Sequence, residues 1–300
     1  MKLDSHSSSS AAALQRMLVA AALLAVAAVL PAQAREGVDV GKTSSFAGLV
    51  SADQLEQVSQ RQYLQMRQQA AQQHVLAPEG NPQLVRLRAI AQRIVPHSYE
   101  WNERARQWKW EVNLFGSKQI NAFCMPGGKI AFFYGLLDRL QLSDDEVAMV
   151  MGHEIAHALR EHARERVGKT VATRGAIEIG SALLGLGGGG RTLADMGGQL
   201  MTLKFGRDDE SEADLVGMEL AARAGYDPRA GITLWNKMVA ANKGAPPEWL
   251  STHPSGGSRI KDIEANLAKV MPLYERAEKP GRGFGPPAPR AAPASAAGPD

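Results

Sequence analysis

The sequence predicts an α+β domain, mostly helical, with one small β-sheet. Three observations predict it. Several stretches repeat apolar residues at helical spacing behind recognisable caps. Three short segments between residues 108 and 134 are strand-like instead. Cys124 is the only cysteine, so no intramolecular disulfide staples the fold, and 300 residues with 44% apolar content must supply the core by themselves.

At the start of the chain, Arg16 precedes an apolar run from Met17 to Leu30, and Ala32-Gln33-Ala34 forms an A-x-A cleavage pattern. Residues 1–34 are therefore expected to be a signal peptide and the mature chain to start at Arg35, in the periplasm. No cysteine stands at the cleavage point, so no lipid anchor is expected. The run ends at Pro31, short for a membrane span, and the mature chain is expected to have no transmembrane span. Residues 35–50, with mixed composition and Gly and Ser, are expected to be a flexible arm. Ala52 to Val75 is a Gln-rich amphipathic helix. Asn81 caps a helix with Pro82 at its first position, running to about Val95. Trp108 to Phe115 alternates as a strand, and Ile120–Met125 and Ile130–Tyr134 flank the turn Pro126-Gly127-Gly128.

Ser143, with Glu146 three residues on, makes a capping box for a helix that should run to about Val167. The stretch 170–206 is expected to be a mobile Gly-rich flap. It holds four consecutive glycines, Gly187 to Gly190, and its apolar flanks are interrupted by Glu178, Arg191 and Asp195. A helix opens at Arg207, another at Asp227-Pro228 running to Ala241, and a last one behind Ser258 running to about Val270. Residues 278–300 are a Pro/Ala-rich tail, expected to be disordered. The folded domain is thus expected over 51–277. The net charge of +3 is too weak to argue for nucleic acid.

The chemistry is concentrated in His153-Glu154-Ile155-Ala156-His157. Two histidines at i and i+4 leave one helix face and can reach one metal ion. Glu154 then stands beside the ion's open position, where it can act as a base toward water. The alternative reading is a pair of surface histidines on an ordinary helix. A catalytic zinc needs a third protein ligand. Arg160 and Ala163 occupy the positions where a metzincin continuation would place Gly and His, which excludes that arrangement. His162 lies nine residues after His153, about 180° around the helix, so it faces away and is a poor ligand candidate. The run Arg207 to Asp214 supplies Glu210 as the third ligand, with Asp214 one turn on to accept a ligating histidine's free N–H. Glu212 lies about 200° from Glu210 and points elsewhere. Read alone, the same acidic run is a solvated helix N-terminus.

Three segments give the chain a resemblance. They are Asn121-Ala-Phe-Cys-Met-Pro-Gly-Gly-Lys-Ile-Ala-Phe-Phe-Tyr-Gly-Leu-Leu137, Leu142 to His157, and Glu210-Ser-Glu-Ala-Asp214 followed by Ser251-Thr-His-Pro-Ser255 and Arg259-Ile260. Together they resemble the HtpX and CAAX-prenyl-protease family of gluzincin zinc metallopeptidases, in particular its soluble periplasmic branch of BepA-like and LoiP-like proteases. The resemblance implies a zincin-like fold in which the edge strand of the sheet precedes the H-E-x-x-H helix. It implies one zinc ion per chain, and endoproteolysis of unfolded or misfolded envelope proteins as periplasmic quality control. It implies that Asn121, Ala122 and Phe123 form a substrate-pairing strand edge, and that outer-membrane protein assembly machinery is a partner. His253 is the candidate second donor to the oxyanion, with Arg259 next in line, and the resemblance implies that His253 also approaches the zinc in a resting state. A loop or core role is the plainer reading of His253. Competing with proteolysis are a chaperone or assembly factor for outer-membrane proteins on the same fold, with latent or no cleavage, and a metal-free helical adaptor.

Overall fold

The computed structural model describes residues 35–183, 203–241, 247–254, 258–281 and 283–287. Contacts divide the chain into two units between Glu36 and Gly37. The expected signal peptide, the glycine run of the expected flap and the tail from 288 onward lie outside the described residues. Among the described residues, the second unit carries every helix and strand.

Helix α1 (Ala52–Gln72) and helix α2 (Pro82–Ile94) are capped as their sequences direct. Asn81 Oδ1 accepts from the backbone N–H groups of Gln83 and Leu84 at 2.9 and 3.2 Å, and Pro82 occupies the first turn, where its missing donor costs nothing. The sheet has three strands, β1 (Glu111–Phe115), β2 (Ala122–Met125) and β3 (Lys129–Phe133), in the order β1-β3-β2. β1 runs parallel to β3 with Val112 opposite Ile130; β2 runs antiparallel, with Phe123 opposite Ala131. β2 is thus an edge strand, and it precedes the H-E-x-x-H helix in the chain, as the expected α+β fold requires. The turn between β2 and β3 needs Gly127 and Gly128, both at positive φ.

After the short helix α3 (Tyr134–Leu140) comes α4 (Asp144–Leu159), the centre of the molecule. Its capping box is complete: Glu146 N donates to Ser143 Oγ at 3.2 Å and Ser143 N donates to Glu146 Oε2 at 2.8 Å. Every residue of α4 from Glu146 to Leu159 is buried. A helix apolar on all sides belongs in a core, and α4 is covered by α2, β2, α6 (Arg207–Arg223) and α7 (Ala230–Ala241). Where α4 and α6 cross, Gly152 and Gly217 meet. A Cβ on Gly152 would lie 2.5 Å from the Gly217 carbonyl oxygen, and one on Gly217 would lie 2.5 Å from His153 N. The crossing is close because neither helix has a side chain there.

Contrary to the sequence expectation, α4 does not run on to Val167. It ends at Leu159, and a separate helix, α5 (His162–Leu183), begins after Arg160 and Glu161. Glu161 sits at φ 59, the left-handed region that breaks the helix. No glycine or proline marks the break, so composition alone gave no sign of it. The last helix, α9 (Arg259–Arg276), also runs beyond its expected end at Val270 and carries Pro272 within it. A short helix, α8 (Glu248–Thr252), leads into His253.

Residues 38–50 of the segment expected as a flexible arm pack within the second unit. A 3-10 turn spans Ser45–Leu49, Val38, Ala47 and Val50 are buried, and Val38 N donates to Glu219 Oε2 at 2.8 Å. Beyond α9, Arg93 donates to the Glu278 carbonyl and Phe284 N to Asp144 Oδ2, which places Glu278 beside α2 and Phe284 at the start of α4. No described helix is long and apolar enough to cross a membrane.

Candidate metal centre and active site

The H-E-x-x-H helix brings its two histidines to one point. His153 and His157 face each other through Nε2 atoms 3.0 Å apart. The glycine crossing sets α6 against them, and Glu210 arrives with Oε2 3.6 Å from His153 Nε2 and Oε1 3.5 Å from His157 Nε2. His253, carried in by α8, adds a fourth group. Its Nδ1 is 3.2 Å from His153 Nε2 and 3.1 Å from Glu210 Oε1. One donor atom from each of these four buried residues lies within 4.8 Å of the others. Four donors arranged tetrahedrally about 2.0–2.2 Å from a zinc-sized ion stand roughly 3.3–3.5 Å from one another. The observed spacings of 3.0 to 3.6 Å and the nitrogen and carboxylate donors fit such an ion.

Each ligating candidate is held from behind. His153 Nδ1 meets Asp214 Oδ1 at 3.0 Å, which fixes its ring with Nε2 turned inward. Arg259, itself buried, donates to Asp214 through Nε at 2.5 Å and Nη2 at 2.6 Å, and to Glu210 Oε2 through Nη1 at 2.6 Å. Its guanidinium lies 3.7 Å from the Trp235 ring centroid. A planar fork suits that double grip on two carboxylates. Burial works to raise the Asp214 carboxyl, but the Arg259 charge outweighs it and holds the group at about 2. Burial would likewise raise Glu210; contacts with His253, His153 and Arg259 hold it below the usual carboxylate range. Burial, then the charges of its histidine neighbours and Arg259, push His157 well below an ordinary histidine. A bare, neutral imidazole is the form that binds a metal.

Glu154, between the two histidines in sequence, turns to the other side of the cluster. Its Oε1 accepts from Trp249 Nε1 at 2.6 Å and lies 3.7 Å from His253 Nε2. Trp249 stacks on His253 with ring centroids 4.9 Å apart, and its backbone N–H donates to the Ile120 carbonyl at 3.1 Å. Burial would lower His253; the carboxylates of Glu154 and Glu210 outweigh it and raise the group. Phe205 covers His157 at a centroid distance of 4.0 Å and is tied to Thr252 O through its backbone N–H.

One cavity joins these groups to the sheet. Residues 121–126, Glu154, His157, Phe205 and His253 line it. The edge residues Asn121, Ala122 and Phe123 thus share a cavity with His157 and His253 of the cluster. Cys124 is half-buried on that same wall.

These features decide the family, since a model of peptidase family M48 matches residues 84–267, a span that contains every residue of the cluster. The chain belongs to peptidase family M48. The resemblance carried by the three sequence segments is borne out. Relatives include the mitochondrial metalloendopeptidase OMA1 of Arabidopsis thaliana, 38% identical over 178 residues, covering 58% of this chain and 35% of the relative. The OMA1 of Schizosaccharomyces pombe is 35% identical over 173 residues, 57% of this chain and 50% of the relative. The beta-barrel assembly-enhancing protease of Escherichia coli is 30% identical over 170 residues, 53% of this chain and 35% of the relative. The match spans between about a third and a half of the length of these relatives.

Sequence reasoning reached His153, Glu154, His157, Glu210, Asp214 and His253 and brought them to one place. It placed Glu212 away from the cluster, where it pairs with Arg160. It missed Trp249 and Phe205, whose aromatic character marks them only as core candidates. It considered Arg259 as an oxyanion donor, whereas Arg259 clamps the two carboxylates. It turned His162 away from the site, because it assumed an unbroken helix.

Proposed function

We propose that this M48 chain is a zinc-dependent endopeptidase, with one zinc ion held by His153, His157 and Glu210 and with Glu154 as general base. The observation that carries this reading is the shared cavity: the Glu154 carboxylate, His157 and His253 of the convergent donor set, and the edge strand line the same space. When bound, the ion would supply Lewis acidity to the scissile carbonyl and to the attacking water. Glu154 takes the water's proton; its Oε1 is held by Trp249, and the residue lines the cavity. The same carboxyl returns the proton to the leaving amine. His253 donates to the developing oxyanion. For that role it withdraws from the donor set it now completes, so the closed arrangement corresponds to a resting state.

The peptide would add to the edge of β2. Phe133 N donates to the Asn121 carbonyl, so the next residue and its alternates, Ala122 and Cys124, turn their peptide groups to the free edge. The Ala122 N–H is taken by Asn121 Oδ1 at 2.9 Å, so an incoming strand displaces one side-chain bond. Main-chain pairing selects extended polypeptide with little sequence demand. That supports unfolded or misfolded envelope proteins as substrates. The leader pattern at 1–34 favours the periplasm over the organelle named for the OMA1 relatives. The name of the Escherichia coli relative supports outer-membrane assembly machinery as a partner.

The test is zinc content and digestion of a generic unfolded substrate, wild type beside Glu154→Gln. Cleavage by the wild type, its loss in the variant and one zinc per chain in both are expected. A wild type that holds zinc and cleaves nothing under any activating condition would leave the second reading, a chaperone or assembly factor on this fold. The presence of His253 inside the donor set is what favours that second reading.

A further inference from the structure

The break after Leu159 returns His162 to the metal cluster by a route that a continuous helix forbids. His162 Nδ1 stands 2.9 Å from His157 Nδ1, and His162 is 1% exposed. On its far side, His162 Nε2 is 3.7 Å from Glu212 Oε2, and that buried nitrogen has no hydrogen-bond partner among the described residues. Glu212 is held by the Arg160 guanidinium, which also donates to the Gly41 carbonyl at 3.0 Å.

Two nitrogens 2.9 Å apart share one proton. His157 Nε2 points into the donor set and must be bare to hold an ion, so the His157 proton sits on Nδ1. His162 Nδ1 must then be the bare acceptor, and the His162 proton sits on Nε2, toward the Glu212 carboxylate. The bare Nε2 that a metal ligand needs sets the tautomers of His157 and His162, and the Glu212 carboxylate faces the His162 Nε2–H at 3.7 Å, beyond a hydrogen bond. The arrangement parallels Arg259, Asp214, His153 on the other ligating histidine, except that an imidazole stands behind His157 where a carboxylate stands behind His153.

We propose that His162, backed by Glu212, is the positioning residue for His157: it accepts the His157 Nδ1–H and so holds Nε2 toward the ion. This role rests on the zinc site proposed for His153, His157 and Glu210. It involves Glu212 without making it a ligand. It also gives the left-handed Glu161 a purpose, since that residue turns the chain so that His162 faces His157.

The experiment is zinc affinity of the full chain by chelator competition, for wild type, His162→Leu, His162→Asn, Glu212→Gln and, as a control, Glu210→Ala. Loss of the acceptor in His162→Leu is expected to weaken zinc binding by about 10–100-fold. His162→Asn places an amide oxygen near the lost Nδ1 and should stay within a few-fold of wild type. Glu212→Gln should fall between the two. A folded His162→Leu protein with wild-type affinity overturns the proposal, and so does an asparagine variant that is folded yet as weak as the leucine one. Should the leucine variant fail to fold, nitrogen NMR of the zinc-loaded wild type decides. A coupling between His157 Nδ1 and His162 Nδ1 across the shared proton is expected, and its absence overturns the assignment. The two readings separate cleanly. A wild type without zinc, unchanged by Glu210→Ala, sinks the metal centre and this role with it. A wild type that loses zinc in Glu210→Ala but keeps it in His162→Leu sinks the positioning role alone.

Discussion

Gly152 and Gly217 touch backbone to backbone where the two helices of the metal cluster cross, and that contact sets the reach of Glu210 to His153 and His157. Gly152 directly precedes His153, and Gly217 lies one turn beyond Asp214 on α6. A methyl group at either position has no flexible neighbour to displace, since the nearest atoms are backbone. Gly217→Ala is expected to destabilise the protein by about 1–3 kcal/mol, as over-packing does. It should also weaken zinc binding at temperatures where the variant is folded, because the Glu210 carboxylate is carried outward. Thermal unfolding and zinc titration check this; a folded variant with wild-type zinc affinity would show that the crossing distance does not govern the site.

Trp249 tests the placing of the base. Its indole N–H is the hydrogen-bond donor to Glu154 Oε1, while its ring packs on His253. Trp249→Phe keeps most of the stacking and removes the donor. Hydrogen bonds to buried charged groups contribute about 1.5–3 kcal/mol. Even half of that lost from the orientation of the base corresponds to roughly 10-fold in rate. The expected result is kcat lower by about 10-fold with zinc content unchanged. An unchanged kcat would mean that Glu154 finds its position without the indole.

Asp214 and Arg259 make acid stability a readout of the site. The Asp214 carboxyl is lowered from 3.8 to about 2 in the folded chain. A depressed carboxyl contributes stability that is present above its unfolded value and is lost as pH falls through its folded value. In chelator-treated protein, this pair should therefore contribute ~2 kcal/mol above about pH 4 that disappears as the pH approaches about 2. Denaturant titrations across that window should show the loss in wild type and a flatter profile in Asp214→Asn. Arg259→Met should be worse at neutral pH, by about 3–5 kcal/mol, since it leaves the buried Asp214 and Glu210 charges without their partner. Equal slopes for wild type and Asp214→Asn would remove Asp214 from the account.

How much of the fold and the site was legible in the sequence depends on the range of the interaction. The capped helices at Asn81 and Ser143, the strand pair around Gly127-Gly128 and the H-E-x-x-H face are set by residues within four or five positions of one another, and they stand where their patterns put them. Glu210 and Asp214 were reachable because a helix face relates them and metal chemistry demands a third ligand. Glu161 was not, because a charged residue in the left-handed region is stabilised by its surroundings and has no local signature. That one residue moved His162 from the far side of a helix to 2.9 Å from His157. Trp249 escaped for a different reason, and Arg259 was reached only as a candidate oxyanion donor. Their observed contacts exist only once α8 and α9 fold over α4, and nothing in the neighbours of Trp249 along the chain distinguishes it from a core residue.

His253 occupies two roles that cannot be filled at once. Its Nδ1 completes the donor set with His153 and Glu210, while its Nε2 lies toward Glu154, where an oxyanion donor belongs. His253→Ala removes both. The three remaining donors suffice for zinc, so metal content should stay near one per chain. Loss of the oxyanion donor should lower kcat by roughly 10²–10³. Removal of the fourth donor should open the metal to outside ligands, so a small chelating inhibitor should bind the variant faster than wild type. The two effects run in opposite directions, which distinguishes them from general damage: a distorted site would lose rate, zinc and inhibitor binding together. If His253→Ala cleaves unfolded substrate at the wild-type rate, the oxyanion donor lies elsewhere. If the inhibitor binds both proteins at the same rate, the closed donor set is not a barrier to the metal.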